Sequence, residues 1–274
     1  MEKMNLIQTQ AAHPHVRYFS MKSDSGDRNY RIYVACPFAE PPVDGYPVIY
    51  VLDANAVIYT IVEALCIQAR RPEKTGVSQA VIVGIGYDTD EPFSPARHYD
   101  FTMEVPLEEL PAHPEGRTWP RQGGADRFLR FIEEELRPVI EQEFPVNRDR
   151  QTLAGHSLGG LFVLYTLFTK PNLFRNYAAG SPSIHWNEGL LADLECKFAG
   201  SLPSRAGDIR VFIGVGELER RHPSRMNENA EALYERLRML EGAGCYTEFH
   251  EFEDENHGSV LPVFMSRTLR FGMQ

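Results

Sequence analysis

Apolar positions along the chain gather into short runs of strand length separated by polar turns. The runs are Tyr30–Ala35, Val48–Leu52, Ala80–Ile85, Thr152–Ala154, Ile209–Val215 and Tyr246–Phe252. Most lack the strict alternation of a half-exposed strand, so they read as buried strands; Tyr246–Phe252 is the most polar of them. Helical patterns lie between them. Phe128–Gln142 places apolar residues at helical spacing and turns Glu133, Glu134 and Glu135 outward. Leu158–Phe168 is apolar all round, as a helix inside a large core would be. Asn229–Leu240 is amphipathic and stops before Gly242 and Gly244. Strands alternating with helices predict an α/β fold with a mostly parallel central sheet and helices on both faces.

The least regular stretch runs from Tyr87 to Gly124 and is rich in Pro, Asp and Glu. A connection this long in a compact domain reads as a lid or binding loop. It starts at the C-terminal end of a predicted central strand, the edge where open α/β sheets bind ligands. No repeat or interdomain linker interrupts the pattern, so residues 1–274 are expected to form a single domain carrying that loop.

Gly155-His156-Ser157-Leu158-Gly159 sits between an apolar triplet and the apolar helix, with Gly160 following. A strand that reverses into a helix around one strained residue needs small neighbours. It holds that residue's hydroxyl above the sheet, beside a helix N-terminus. Ser157 is therefore the candidate nucleophile. A serine hydroxyl needs an adjacent base, and nine histidines are available. His13 and His15 lie in the polar N-terminus, His250 is mid-strand, and His156 inside the turn is expected to point away from the base position. His257, in a polar loop after the last predicted strand, is the expected base in a chain ordered serine, acid, histidine. The acid should follow the strand Ile209–Val215, in Gly216-Glu217-Leu218-Glu219. Glu219 is favoured, Glu217 is its competitor, and a Ser–His dyad is the third option. An oxyanion hole needs two backbone N–H donors. Leu158 offers one, and Ala54 or Asn55, after the strand Val48–Leu52, the other. Asp53 reads as a structural residue of that turn.

Composition narrows the choice. With 43% hydrophobic and 24% charged residues the chain is an ordinary globular protein. Its 28 basic and 38 acidic side chains give a net charge of −10, against a nucleic-acid scaffold. Cys36, Cys66, Cys196 and Cys245 are too dispersed for a disulfide framework or a zinc site. No cofactor and no protein-bound metal are expected. Gln151–Thr169 carries no Asp, Glu, Lys or Arg, but its glycines and polar residues argue for strand, turn and buried helix, not a membrane span. Met1–His15 lacks the apolar core of a signal peptide, which predicts a cytoplasmic protein, or a periplasmic one if the sequence given is a trimmed form. A serine nucleophile with a base and an acid leads to the expectation of a small-molecule ester as partner, and the oligomeric state is left open.

On these pieces the chain resembles the esterase D-like branch of the α/β-hydrolases, and more closely the siderophore esterases that cleave enterobactin, salmochelin or bacillibactin. The resemblance rests on Val48–Asn55 (VIYVLDAN), Ala80–Thr102 (AVIVGIGYDTDEPFSPARHYDFT), Gly123–Phe144 (GGADRFLRFIEEELRPVIEQEF) and Leu153–Asn187 (LAGHSLGGLFVLYTLFTKPNLFRNYAAGSPSIHWN). It continues in Val211–Glu219 (VFIGVGELE) and Glu255–Pro262 (ENHGSVLP). It implies hydrolysis of ester bonds in a catecholate trilactone, with or without ferric iron, the iron belonging to the substrate. Arg97 matches the family's arginine and is the candidate anion contact, with a surface salt bridge to Asp100 or Glu104 as the alternative. Tyr87 and Trp186 are candidates to stack on catechol rings, with plain core packing as the alternative. Two departures stand out: Arg97-His98 where the family often has paired arginines, and His185-Trp186 where it often has two tryptophans. A simple acyl, feruloyl or S-acyl ester is the alternative substrate.

Overall fold

Val81–Tyr87 and Tyr46–Leu52 are buried at every position, which forces both faces of their sheet to be covered. In the computed structural model, which describes residues 13–24, 28–106, 116, 118–202 and 208–274, that sheet has eight strands. They are β1 (Val16–Lys22), β2 (Asn29–Ala35), β3 (Tyr46–Leu52), β4 (Val81–Tyr87), β5 (Val146–His156), β6 (Asn176–Gly180), β7 (Ile209–Gly216) and β8 (Cys245–Phe252). Their order is β1-β2-β4-β3-β5-β6-β7-β8. β1 and β2 pair antiparallel, as do β2 and β4, and the remaining pairs are parallel. The mostly parallel α/β arrangement expected from the sequence is therefore present.

The helices are α1 (Ala54–Gln68), α2 (Pro72–Thr75), α3 (Arg97–Phe101), α4 (Ala125–Arg130), α5 (Arg137–Glu143), α6 (Leu158–Thr169), α7 (Glu188–Ser201), α8 (Met226–Arg238) and α9 (Val260–Gly272). Alternate residues of β3 feed two cores. Val48, Tyr50 and Leu52 pack with residues of α4 to α8, whereas Ile49 and Val51 pack with Val57, Ile58 and Ile61 of α1 and Phe264 and Leu269 of α9. The expected helix Phe128–Gln142 is the middle of a longer rod in which Phe131–Leu136 is π-helical, joining α4 to α5. Pro138 lies just beyond this wide turn and has no N–H for the carbonyl four residues back.

Strands β1 and β6 and helices α1, α7 and α9 go beyond the elements that the patterns predict. The parallel register places His156 beside Gly180, Gly180 beside Gly214 and Gly214 beside His250. The C-terminal strand ends thus form one ledge. The described part of 87–124 rises from it. Residues 107–115 and 117 lie outside the described set, as do Met1–Ala12 within the N-terminal stretch.

Candidate active site

The turn from β5 into α6 is built around Ser157, whose φ of 61° and ψ of −119° are unfavourable for a side-chain-bearing residue. Glycine makes room for it. A Cβ on Gly155 would stand 2.5 Å from the Gly159 carbonyl oxygen, and one on Gly160 would stand 2.7 Å from that of Gly180. At Gly159 the nearest atom would be 3.4 Å away, an ordinary contact. The tight glycine on the helix side is therefore Gly160 and not the last residue of the G-x-S-x-G pattern. Gly155→Ala should cost about 1–3 kcal/mol through overpacking against backbone, while Gly159→Ala costs less. Urea denaturation of the two variants checks this ranking.

Ser157 Oγ lies 3.1 Å from His257 Nε2, across 100 positions of sequence. His257 Nδ1 lies 2.7 Å from Glu219 Oε2. A carboxylate only accepts, so Nδ1 carries the proton and Nε2 presents its lone pair to the serine. The other Glu219 oxygen accepts from Ser181 Oγ at 2.6 Å and from the Gly216 N–H at 2.8 Å. Burial alone would raise the Glu219 carboxyl. The bonds from His257, Ser181 and Gly216 outweigh that and hold it below its ordinary value, so it is ionised near neutrality. Glu217 faces elsewhere, accepting the Asp254 N–H at 3.0 Å. Of the two carboxylates named from the sequence, the fold brings Glu219 to the imidazole and leaves Glu217 to fasten a turn.

His156 is a correction. It does not face away from the base: its buried ring packs on that of His257, centroids 4.6 Å apart at 41°. Burial above all, then the neighbouring His257, pushes its pKa down to about 3. The unfolded chain therefore binds a proton at this position between about pH 6.5 and 3 that the folded one refuses. Stability from this group is complete above pH 6.5 and is lost progressively as the pH falls through that window. His156→Gln should flatten the slope of unfolding free energy against pH between 6 and 4, measured by urea titration.

Leu158 and Ala54 are the first residues of α6 and α1, and Asn55 is the second of α1. Their N–H groups lie where a helix supplies no acceptor of its own. The Asn55 side chain fastens the loop after β3 to the end of β4. It accepts from the Tyr87 N–H at 2.8 Å and donates to the Tyr87 and Thr89 carbonyls at 3.0 and 2.8 Å.

Two further expectations change. Tyr87 lies in the core against Tyr30, and its hydroxyl donates to Asp100 at 3.0 Å. It lines neither of the two cavities at Ser157, so there it is a packing residue and not a stacking platform. Arg97 is buried and borders both cavities at the site, but its guanidinium is paired within the protein. Nε and one Nη donate to the two oxygens of Asp53 at 2.8 Å each. The partner is Asp53, 44 positions earlier, while Asp100 pairs with Arg28.

Two cavities meet at Ser157, and Arg97 and His257 border both. The larger, about 530 Å³, has an apolar wall of Val57, Pro92, Phe93, Leu261 and Pro262. The smaller, about 240 Å³, is lined by His98, Trp119, His185, Trp186, His222 and Met226. Trp186 meets Trp119 edge-on at 4.6 Å, so it does stand at a cavity wall. Sequence reasoning passed over Trp119, Phe93, Ser181 and Ser183. Ser183 Oγ is 3.3 Å from Ser157 Oγ, and its N–H donates to the Ser157 carbonyl at 3.1 Å. The Ser-Pro-Ser step after a run of small residues is the only trace these serines leave. Among the described residues, no cluster of three His, Cys, Asp or Glu suits a metal, and no helix is long and apolar enough to cross a membrane.

Comparison with known proteins gives the same direction. The Esterase family model matches residues 23–259. The chain is 54% identical over 253 residues to the ferri-bacillibactin esterase BesA of Bacillus subtilis, covering 92% of this chain and 88% of that protein. It is 36% identical to the apo-salmochelin esterase of Escherichia coli over 93% of this chain and 78% of that one. Among solved structures, the BES protein from Bacillus cereus superposes with a TM-score of 0.91 at 43% identity, covering 97% and 99% of the two chains. With the α/β-hydrolase sheet order, this shows that the chain belongs to the Esterase family and is a carboxylic ester hydrolase.

Proposed function

We propose that this hydrolase opens the ester bonds of a catecholate siderophore trilactone of the bacillibactin or enterobactin kind, with Ser157 as nucleophile, His257 as general base and Glu219 as the acid that orients it. The observation that carries the chemistry is the unbroken Glu219–His257–Ser157 hydrogen-bond chain between two cavities at the sheet edge. The substrate class is supported by the two siderophore esterases to which the chain is 54% and 36% identical. Ser157 Oγ attacks the lactone carbonyl as its proton passes to His257 Nε2. The tetrahedral oxyanion is met by the Leu158 N–H and by one from Ala54 or Asn55. Collapse expels the alcohol, which takes the proton from the imidazolium. Water, deprotonated by His257, then releases the acyl group.

The cavities suit a divided ligand. About 240 Å³ lies below the range of roughly 300–1,000 Å³ for a whole drug-sized molecule. It therefore takes one aryl arm beside Trp119 and Trp186 while the rest lies in the larger cavity. The deciding experiment incubates the protein with bacillibactin and with enterobactin, each with and without ferric iron, and separates the linear products by chromatography. Short p-nitrophenyl esters run in parallel. Turnover of the short esters alone would give the protein to simple acyl esters and end the siderophore reading.

A further inference from the structure

Arg97 is heavily engaged at the site although it lies outside the hydrogen-bonded chain of three. Besides the two bonds to Asp53, its Nη2 donates to the His156 carbonyl at 3.4 Å. Asp53 is the residue before Ala54 and caps α1 in a left-handed conformation, φ 53°. His156 is the residue before Ser157. One guanidinium thus ties together the ends of β3 and β5. Those two ends carry the backbone N–H groups on either side of the place where the oxyanion forms. Phe93 and Phe101 hold the guanidinium, each ring centroid 5.4 Å from its Cζ. The same helix and loop that border the cavities therefore bring the clamp in. A Cβ on Gly159 would lie 3.4 Å from the second oxygen of Asp53, so this ion pair sits directly on the first turn of α6.

We infer that Arg97 is a positioning residue for the oxyanion hole: through Asp53 and the His156 carbonyl it fixes the separation of the Ala54–Asn55 and Leu158 N–H groups, and does not act by gripping the charge of the substrate. The inference rests on the ester-hydrolase reading of Ser157 and adds a role to it. Its consequence is specific. An anion contact matters only for a charged substrate and acts mainly on KM. A clamp on the oxyanion donors acts in the transition state, on kcat, for every ester including a small neutral one.

The test measures kcat and KM for p-nitrophenyl acetate and for enterobactin in Arg97→Lys, Asp53→Asn and the double variant. Lysine keeps the charge but cannot bridge both carboxylate oxygens and a carbonyl at once. The expected result is a fall in kcat of about tenfold to a hundredfold with both substrates, with KM for the neutral ester changed less than threefold. The double variant should be no worse than the poorer single one, since both break the same link. Should the single variants lose their near-UV circular dichroism, Arg97→Gln combined with Asp53→Asn removes both charges together, and the same split in kcat is read from it. Unchanged kcat for p-nitrophenyl acetate with a raised KM for enterobactin alone would overturn the inference and make Arg97 a substrate contact. A Ser157→Ala control that still turns over the neutral ester would instead defeat the hydrolase reading, so the two failures are distinguishable.

Discussion

Ser157→Ala is expected to lower kcat for p-nitrophenyl esters by on the order of 10⁶-fold while leaving substrate binding within about threefold. The bond to the acyl carbon needs an oxygen nucleophile at the sheet edge, and the neighbouring hydroxyl, Ser183 Oγ, is hydrogen-bonded to Ser157 rather than to His257. Without a base within reach, Ser183 cannot take over. The residual rate should reflect oxyanion stabilisation and positioning alone. Steady-state kinetics give the first number, and quenching of the Trp119–Trp186 fluorescence by an added catecholamide gives the second. A fluorophosphonate probe should label the native protein at one site and the variant not at all. Residual activity above one part in a hundred would remove Ser157 from the mechanism.

Glu219→Gln should lower kcat by about 10⁴-fold, and Glu217→Gln by less than threefold. The reason lies in the two sides of the Glu219 carboxylate. One oxygen receives Ser181 Oγ and the Gly216 N–H, both able to donate. A glutamine there points its oxygen at those donors and its NH₂ at His257 Nδ1. Nδ1 must then accept, the ring proton moves to Nε2, and the atom facing Ser157 can no longer take a proton. The fold survives, because the Ser181 and Gly216 bonds persist. The Glu217 carboxylate holds only the Asp254 N–H on the surface. Comparing kcat/KM of the two variants decides the matter, and the reverse ranking would move the acid to Glu217.

What could be read in advance follows from how local each signal is. The strand–turn–helix around Ser157 was legible because one short segment contains the apolar strand, the glycines and the apolar helix. Glu219 followed from chain order after the plain apolar run of β7, and His257 from its place in the polar loop after β8, whose Tyr-Thr-Glu-Phe-His-Glu-Phe mixes polar and apolar residues. Strand β6 was not legible: Asn-Tyr-Ala-Ala-Gly has no β-branched residue and only five positions, and its strand character comes from the neighbours that bury it. Helix α9 hid behind Pro262, which is tolerated because it falls in the first turn. Strand β1 hid because it is an edge strand whose middle residues are exposed on both faces. Side-chain partners separated by long stretches of chain leave no local mark. Arg97 and Asp53 are 44 residues apart, and nothing in either segment announces the other. The burial of Tyr87 against Asp100 and the packing of His156 on His257 are tertiary in the same sense.

The parallel register from β5 to β8 carries a kinetic corollary. Ser157 and His257 are separated by 100 residues, and His257 and Glu219 by 38, so the hydrogen-bonded chain closes only after several crossovers have docked. Contacts of such sequence separation form slowly, after local helices are in place. During renaturation from denaturant, ellipticity returns first and ester cleavage last. Recovered hydrolysis is then a stopwatch for completion of the sheet, and a half-assembled molecule is harmless to whatever esters surround it.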